Sequence, residues 1–326
     1  MQKHRCLVIE RQPTSFSVVI PLYNKGPHIS DAIESVLSQE LAPTEIIIVD
    51  DASTDGGREI AESIKDSRIK VFSRTNPGPG GYAARNLGIQ QALGEWIAFL
   101  DGDDVWKPNH LKKLDEAIRL ADSDVICAFS RFQVMENGKS RAYEVSPKLL
   151  IAPQPLSADK IIAAWLDTRK CPLWTGAVAL RKDKALEAGL FPEGQARRGG
   201  DKDLWLRVIL MGGTAFSPSF TSEFHQDTVN RVSNSTAFHE PPIIAKSIRI
   251  ALQNTQDSSK NLLRRLLNQE VSLYVRRSAA TGNPVGLKFL KELYYPEGLS
   301  QIFTFAILDI ISFPISMIRA LGIARK

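Results

Sequence analysis

The chain has 326 residues, of which 43% are hydrophobic and 24% charged. These are globular values that exclude wholesale disorder and collagen-like repeats, and the length suits one large α/β domain with an appendage or two ordinary domains. Three cysteines (Cys6, Cys127 and Cys171) show no C-x-x-C spacing, which excludes a zinc knuckle or disulfide framework and points to a reducing compartment. The net charge of +5 is uneven: residues 241–326 hold 12 Lys/Arg against 5 Asp/Glu, while the first 240 residues are close to neutral. A uniformly basic nucleic-acid binder would not be built this way, so no nucleic-acid partner is expected, whereas a tail meeting an anionic surface would be.

The first hundred residues alternate strand and helix. Ser17–Ile20 reads as a strand, and Ile29, Ile33, Val36 and Leu37 recur at helical spacing. Glu45–Val49 is a nearly continuous apolar run, the pattern of a strand buried on both faces of a parallel sheet. Ile60, Ala61 and Ile64 predict a short helix, and Ile69–Phe72 a strand. The Gly/Pro-rich loop Asn76–Gly81 leads into a helix through Leu87 and Leu93. Trp96–Leu100 is another buried strand, and Leu111, Leu114 and Ile118 mark the next helix. The run predicts a doubly wound, mostly parallel sheet.

The second half reads as a mixed elaboration of that sheet. Val125–Val134 is extended, Asn137-Gly138 signals a hairpin, and Arg141–Val145 is its expected return strand. Ser157 is placed to cap a helix through Leu166. Trp174–Leu180 predicts a strand, and Asp201–Met211 a helix with Leu204, Trp205, Val208 and Ile209 on one side. From about Pro241 the chain is helical and basic. Ile302–Ile318 is strongly apolar, but short for a membrane span and interrupted by Asp309 and Pro314; an in-plane amphipathic anchor and a helix packed on the catalytic domain both fit. The expected organisation is a leader over residues 1–14, a catalytic domain over 15–235 and a basic helical region over 236–326. The N-terminus lacks the apolar run of a signal peptide, so a cytoplasmic protein, peripheral on the inner face of the membrane, is expected.

Carboxylates cluster where two apolar strands end: Asp50-Asp51 after Val49, and Asp101, Asp103 and Asp104 after Leu100. Ligands of open α/β sheets bind at the carboxyl ends of the strands, and crowded carboxylates repel unless a cation or hydrogen-bond donors compensate. A hard divalent ion bridging carboxylate to diphosphate fits; turn and helix-cap roles are the structural alternative. Gly78–Gly81 follows the third strand, is preceded by Pro77 and contains Pro79, so it is no dinucleotide fingerprint, and neither a Walker A nor an H-E-x-x-H sequence is present.

Ile20-Pro21-Leu22-Tyr23-Asn24, Val49-Asp50-Asp51-Ala52-Ser53-Thr54-Asp55, Ala84-Arg85-Asn86-Leu87-Gly88 and Phe99-Leu100-Asp101-Gly102-Asp103-Asp104 resemble, in order, the motifs of family 2 glycosyltransferases of GT-A fold. The resemblance covers roughly residues 15–235. It implies a GT-A-like α/β fold with a C-terminal helical extension, and an inverting, nucleotide-sugar-dependent transfer. It places Pro21, Tyr23 and Asp51 around the donor's base, with Asp51 accepting from it, and Asn24 among the nucleotide-sugar-binding residues. Arg85 falls near the phosphates, Asp101 towards the ribose and Asp103 on a Mg²⁺ or Mn²⁺ ion. Gly102 lets the backbone approach the ligand. The metal would neutralise the charge of the departing nucleoside diphosphate.

Gly199-Gly200-Asp201-Lys202-Asp203-Leu204-Trp205 resembles the family's acidic motif, in which the Asp is the catalytic base. Asp201 then takes that role, with Gly200 standing where Glu is common; capping the helix is its structural alternative. Further candidates are Asp50, Asp104, Asp203, Trp174 and Thr175 on the acceptor side, and His225 before Asn230-Arg231-Val232-Ser233, a loop placed to close over a diphosphate. The expected donor is a nucleoside-diphosphate sugar, UDP-sugars first, and the expected acceptor a glycan or lipid-linked glycan of surface polysaccharide synthesis at an anionic membrane. Two rivals are a sugar-1-phosphate nucleotidyltransferase, which would need a glycine-rich, Arg-containing loop where Pro21–Asn24 stands, and a non-catalytic nucleotide-sugar-binding scaffold, which would not need Asp103 or Asp201.

Overall fold

The structure, a computed structural model, describes residues 12–294 apart from 122–123, 153, 230–237, 239 and 282–285. The leader up to residue 11, the loop 230–233 and the apolar run 302–318 therefore lie outside the described residues.

The apolar runs of the first half become strands β1 (Phe16–Leu22), β2 (Glu45–Asp50), β3 (Ile69–Ser73) and β4 (Trp96–Phe99), all parallel and ordered β3-β2-β1-β4. Every residue of β2 is buried, as its continuous hydrophobicity requires. Between them run α1 (Gly26–Leu37), α2 (Gly57–Ser63) and α3 (Tyr82–Gln91). Helix α3 stops earlier than its sequence pattern suggests, and Leu93 is exposed in the following turn.

The second half adds β5 (Val105–Trp106), α4 (His110–Leu120), β6 (Val125–Glu136), β7 (Lys139–Ala142), α5 (Pro147–Leu150), α6 (Ala158–Thr168), β8 (Val178–Arg181), α7 (Lys182–Glu187), α8 (Gly200–Ile209) and β9 (Gly213–His225). The nine strands form one sheet, continuing β4-β8-β6-β9-β5 with β7 paired to β6. Strand β8 is antiparallel to both β4 and β6, while β6 and β9 are parallel with register shifts. Asn137 and Gly138 both adopt positive φ, so the hairpin turn is where expected, but its return strand is Lys139–Ala142 rather than Arg141–Val145. The expected strand Trp174–Leu180 is instead a 3₁₀ turn, Thr175–Ala177, followed by β8. The reason is the Trp174 ring, which folds back over Gly176: a Cβ there would meet it at 2.4 Å.

The sheet has an apolar core on each face. Val18, Ile20, Ile46 and Ile48 pack with α1 and α4, while Val19, Ile47, Val49 and Phe99 face α3, α6 and α8. The C-terminal helices α9 (Ile244–Asn254) and α10 (Asp257–Ala280) add Ile248, Leu263, Leu267 and Val271 to this second core, and α11 (Gly286–Leu290) adds Phe289. Among the described residues no helix is long and apolar enough to cross a membrane.

Candidate active site

Where the order turns from β2-β1 to β4, the loops after β1, β2 and β4 diverge and leave a crevice, the usual ligand position in open α/β sheets. A cavity of about 660 Å³ fills it, bringing together Pro21, Tyr23, Asp51, Arg85, Asp101, Gly102, Asp103, Trp174, Thr175 and Asp201. Ten of the proposed site residues thus share one cavity. Asn24, Asp50, Asp104, Asp203 and His225 do not line it.

Asn24 fastens the walls instead. Its side chain accepts from the Thr54 N–H at 2.8 Å, while its own N–H donates to Ser53 Oγ at 3.1 Å. Asp55 accepts from the N–H groups of Gly26 (2.7 Å) and Gly57 (3.1 Å), at the starts of α1 and α2, where a carboxylate offsets the helix dipole. Asp50 accepts from Ser53 N–H in the same clasp. Asp51, also in the lining and only 2% exposed, pairs with Arg74 and accepts from Gly78 N–H at 2.9 Å.

The centre carries the dense charge. Arg85 is buried, donates to Gly80 O at 2.8 Å and pairs with Asp101; burial opposes its charge, but the Asp101 carboxylate outweighs this and raises its pKa. Asp103 is held by Lys25 Nζ at 2.6 Å and by the Thr228 hydroxyl at 2.6 Å. Asp104 lies behind, fully buried, accepting from the His225 N–H at 2.8 Å. Burial, and then the charges of Asp103 and Asp101, push its pKa well above the carboxylate range. Among the described residues its second oxygen and His225 Nε2 have no hydrogen-bond partner.

Among the described residues no three His, Cys, Asp or Glu side chains form a closed metal cage. An open site is the alternative: small hard cations use one or two carboxylates and complete their shell with substrate phosphate and water. The residues fit such an ion, because Asp101, Asp103 and Asp104 crowd negative charge and leave a buried oxygen unpartnered.

Asp201 lines the same cavity from the first turn of α8. Gly199, not Asp201, holds the helix-cap position, and the described residues give the Asp201 carboxylate no hydrogen-bond donor. The place of α8 is fixed by packing: Trp205, one turn beyond Asp201, lies 5.9 Å from Phe99, two residues before Asp101. The departure at Gly200 also has a cause. Its N–H donates to the Tyr82 hydroxyl at 2.8 Å, and a Cβ would come within 2.7 Å of the Tyr82 ring. Asp203 points elsewhere, pairing with Arg207 at 2.8 Å and accepting from Ser247 at 2.6 Å.

Sequence reasoning missed Lys25, Tyr82, Phe224 and the pair Arg197-Arg198, all of which line the cavity. Two arginines directly before the Gly-Gly-Asp motif were a legible signal; Lys25 and Phe224 carried none.

A parallel β3-β2-β1-β4 half with an acidic crevice, extended by antiparallel β8 and a helical C-terminal region, is the GT-A class of fold. The structure superposes on S. aureus TarS 1–349, solved in complex with UDP-GlcNAc, with a TM-score of 0.66 over 94% of this chain and 92% of that one at 18% identity. Residues 17–186 match the profile of Glycosyl transferase family 2, and the chain belongs to that family. It is 51% identical to an uncharacterized glycosyltransferase of Rickettsia conorii over 198 residues, 60% of this chain and 30% of that one. It is 31% identical to TuaG of Bacillus subtilis, a putative teichuronic acid biosynthesis glycosyltransferase, over 61% of this chain and 74% of TuaG. Against glycosyltransferases of Streptococcus pneumoniae, Nostoc and Rickettsia felis it spans 37%, 42% and 21% of the relative's length.

Proposed function

We propose that the protein transfers a sugar from a nucleoside-diphosphate sugar to an acceptor hydroxyl with inversion, in one displacement. The observation that carries this reading is the shared cavity, whose lining brings Asp51, Asp101, Asp103 and Asp201 together. The nucleoside lies by Pro21, Tyr23 and Asp51, and the diphosphate by Arg85, Lys25 and Asp103. A Mg²⁺ or Mn²⁺ ion held by Asp103 would supply Lewis-acid neutralisation of the leaving diphosphate. Asp201 takes the proton from the acceptor hydroxyl as its oxygen attacks the anomeric carbon, and the C–O bond to the diphosphate breaks on the opposite side. Because TarS was solved with UDP-GlcNAc and with UDP, a UDP-sugar is the first donor to test. The relatives TuaG and the succinoglycan biosynthesis protein ExoO of Rhizobium meliloti favour a surface polysaccharide or lipid-linked glycan as product.

Thermal unfolding with UDP, GDP and dTDP sugars, with and without Mn²⁺, tests the donor. The right nucleotide at a hundredfold excess over Kd stabilises by about 2.7 kcal/mol, more with Mn²⁺ than without; no shift with any of them rejects the reading.

The basic excess of residues 241–326 and the apolar run 302–318 support attachment to the inner face of a membrane, where each basic residue near an anionic leaflet contributes about 1 kcal/mol. The full-length protein is expected to co-sediment with anionic vesicles at low salt and to release at high salt. Indifference to such vesicles at low salt rejects the attachment.

A further inference from the structure

A second cavity, of about 280 Å³, borders Asp201. Trp174, Asp201 and Phe224 line both cavities, so the proposed base stands in the partition between them. The second cavity's wall is a chain of rings: Tyr143 stacks on Phe132 at 4.4 Å, Phe132 on Trp174 at 4.5 Å, and Trp174 meets Phe224 at 5.1 Å. Such a wall suits the apolar face of a sugar ring, with a few polar groups left to set orientation.

Three of the lining side chains, Arg141, Lys170 and Lys202, are cationic. Lys202 is already neutralised by Glu270 at 3.0 Å. Arg141, on β7, and Lys170, after α6, have no carboxylate partner among the described residues, and Lys170 Nζ lies 5.4 Å from the Tyr143 ring centre. The carboxylate in the lining is Asp201, which the transfer reserves for a proton. Two uncompensated cations beside stacked rings recognise an anion carried on a saccharide, and a guanidinium is suited to the planar or tetrahedral oxygens of carboxylate or phosphate. The volume is at the small end of ligand pockets, so it takes the terminal unit of an acceptor rather than a long chain.

We infer that this cavity is the acceptor subsite and that it selects an acidic sugar unit, stacked on Trp174, with its carboxylate or phosphate on Arg141 and Lys170. The inference rests on the donor reading above, since it needs the first cavity to hold the nucleotide sugar.

The test uses the full chain saturated with UDP and Mn²⁺, with methyl glucuronide against methyl glucoside and glucose 6-phosphate against glucose, followed by ligand-observed NMR. At least one acidic probe is expected to bind roughly tenfold more tightly than its neutral parent, the size of one charge-assisted hydrogen bond; which pair shows the difference identifies carboxylate or phosphate. The variant Arg141→Gln/Lys170→Gln should lose the difference while binding UDP as before, and a control, Lys112→Gln/Lys113→Gln on the exposed face of α4, should keep it. Gly176→Ala, which forces the Trp174 ring aside, should weaken acidic and neutral probes alike. Equal binding of acidic and neutral probes with UDP bound, or a preference that survives in Arg141→Gln/Lys170→Gln, overturns the acceptor inference alone. Where the wild type binds GDP or dTDP instead of UDP, the same comparison is made with that nucleotide, and failure to bind any of the three overturns the donor reading and the inference with it.

Discussion

Lys25 Nζ lies 2.6 Å from Asp103 Oδ2 and 2.6 Å from the Val229 carbonyl oxygen, with only 8% of the lysine exposed. A fixed ammonium thus occupies the carboxylate that the proposed divalent ion would use. It balances part of the Asp101–Asp103–Asp104 charge without a metal, and it ties the loop after β1 to the chain beyond β9.

Lys25→Met removes this cation while keeping much of the stem's packing. The variant is expected to lose about 1.5–3 kcal/mol, the range for hydrogen bonds to charged groups, because the carboxylates are left less compensated. Mn²⁺ should restore more stability to Lys25→Met than to the wild type, since it supplies the missing positive charge. Thermal unfolding with and without Mn²⁺ checks this, and equal Mn²⁺ shifts in both proteins would reject the shared position.

The strand ends were legible because two kinds of signal coincide in them: an unbroken apolar run, which must be buried, followed by carboxylates, which must not be buried unpaired. Val49-Asp50-Asp51 and Leu100-Asp101 show both. Lys25 was not legible, since one lysine in a polar loop has no period and its partner is 78 residues away. Trp174 was read as part of a strand because its apolar neighbours fit one; the fold of its ring over Gly176 is a three-dimensional constraint that alternation does not carry. The two-residue strand β5 is too short to have a pattern, and the place of Asn24, Asp50 and Asp203 outside the cavity follows from hydrogen bonds made in tertiary structure. Family motifs lead to residues that share this cavity; they do not distinguish residues that face it from those that hold its walls.

His110, on α4, predicts an acid-sensitive window. Its Nδ1 is 2.8 Å from Thr221 Oγ1, and its ring stacks on Trp106 at 4.1 Å. Burial pushes its pKa down to about 3. The unfolded chain takes up this proton below about pH 6.5, whereas the folded protein refuses it until about pH 3. Acidification therefore favours the unfolded state, and stability is expected to fall as pH drops from 6.5 towards 3, by at most about 1.4 kcal/mol per pH unit from this residue. Urea midpoints between pH 7 and pH 4 measure the slope, which His110→Asn should flatten whatever it does to stability at pH 8. An unchanged slope would rule out this histidine as the source.

Asp103 and Asp201 separate binding from chemistry. Asp103→Ala removes the oxygen ligand proposed for the metal, so Mn²⁺-dependent UDP binding and transfer should weaken together. Among the described residues no donor group bonds the Asp201 carboxylate, and Asp201 does not hold the cap position of α8, so Asp201→Asn should fold normally. The amide keeps the size of the carboxylate and loses its basicity, which matters only as the acceptor oxygen attacks. UDP-sugar affinity should stay near that of the wild type, while turnover falls by the ~10²–10⁴-fold that a positioned general base contributes. Asp203 is no substitute, because Arg207 and Ser247 hold it away from the cavity. Near-normal transfer by Asp201→Asn would remove the base from the mechanism, and weakened UDP binding by that variant would move Asp201 into the donor site.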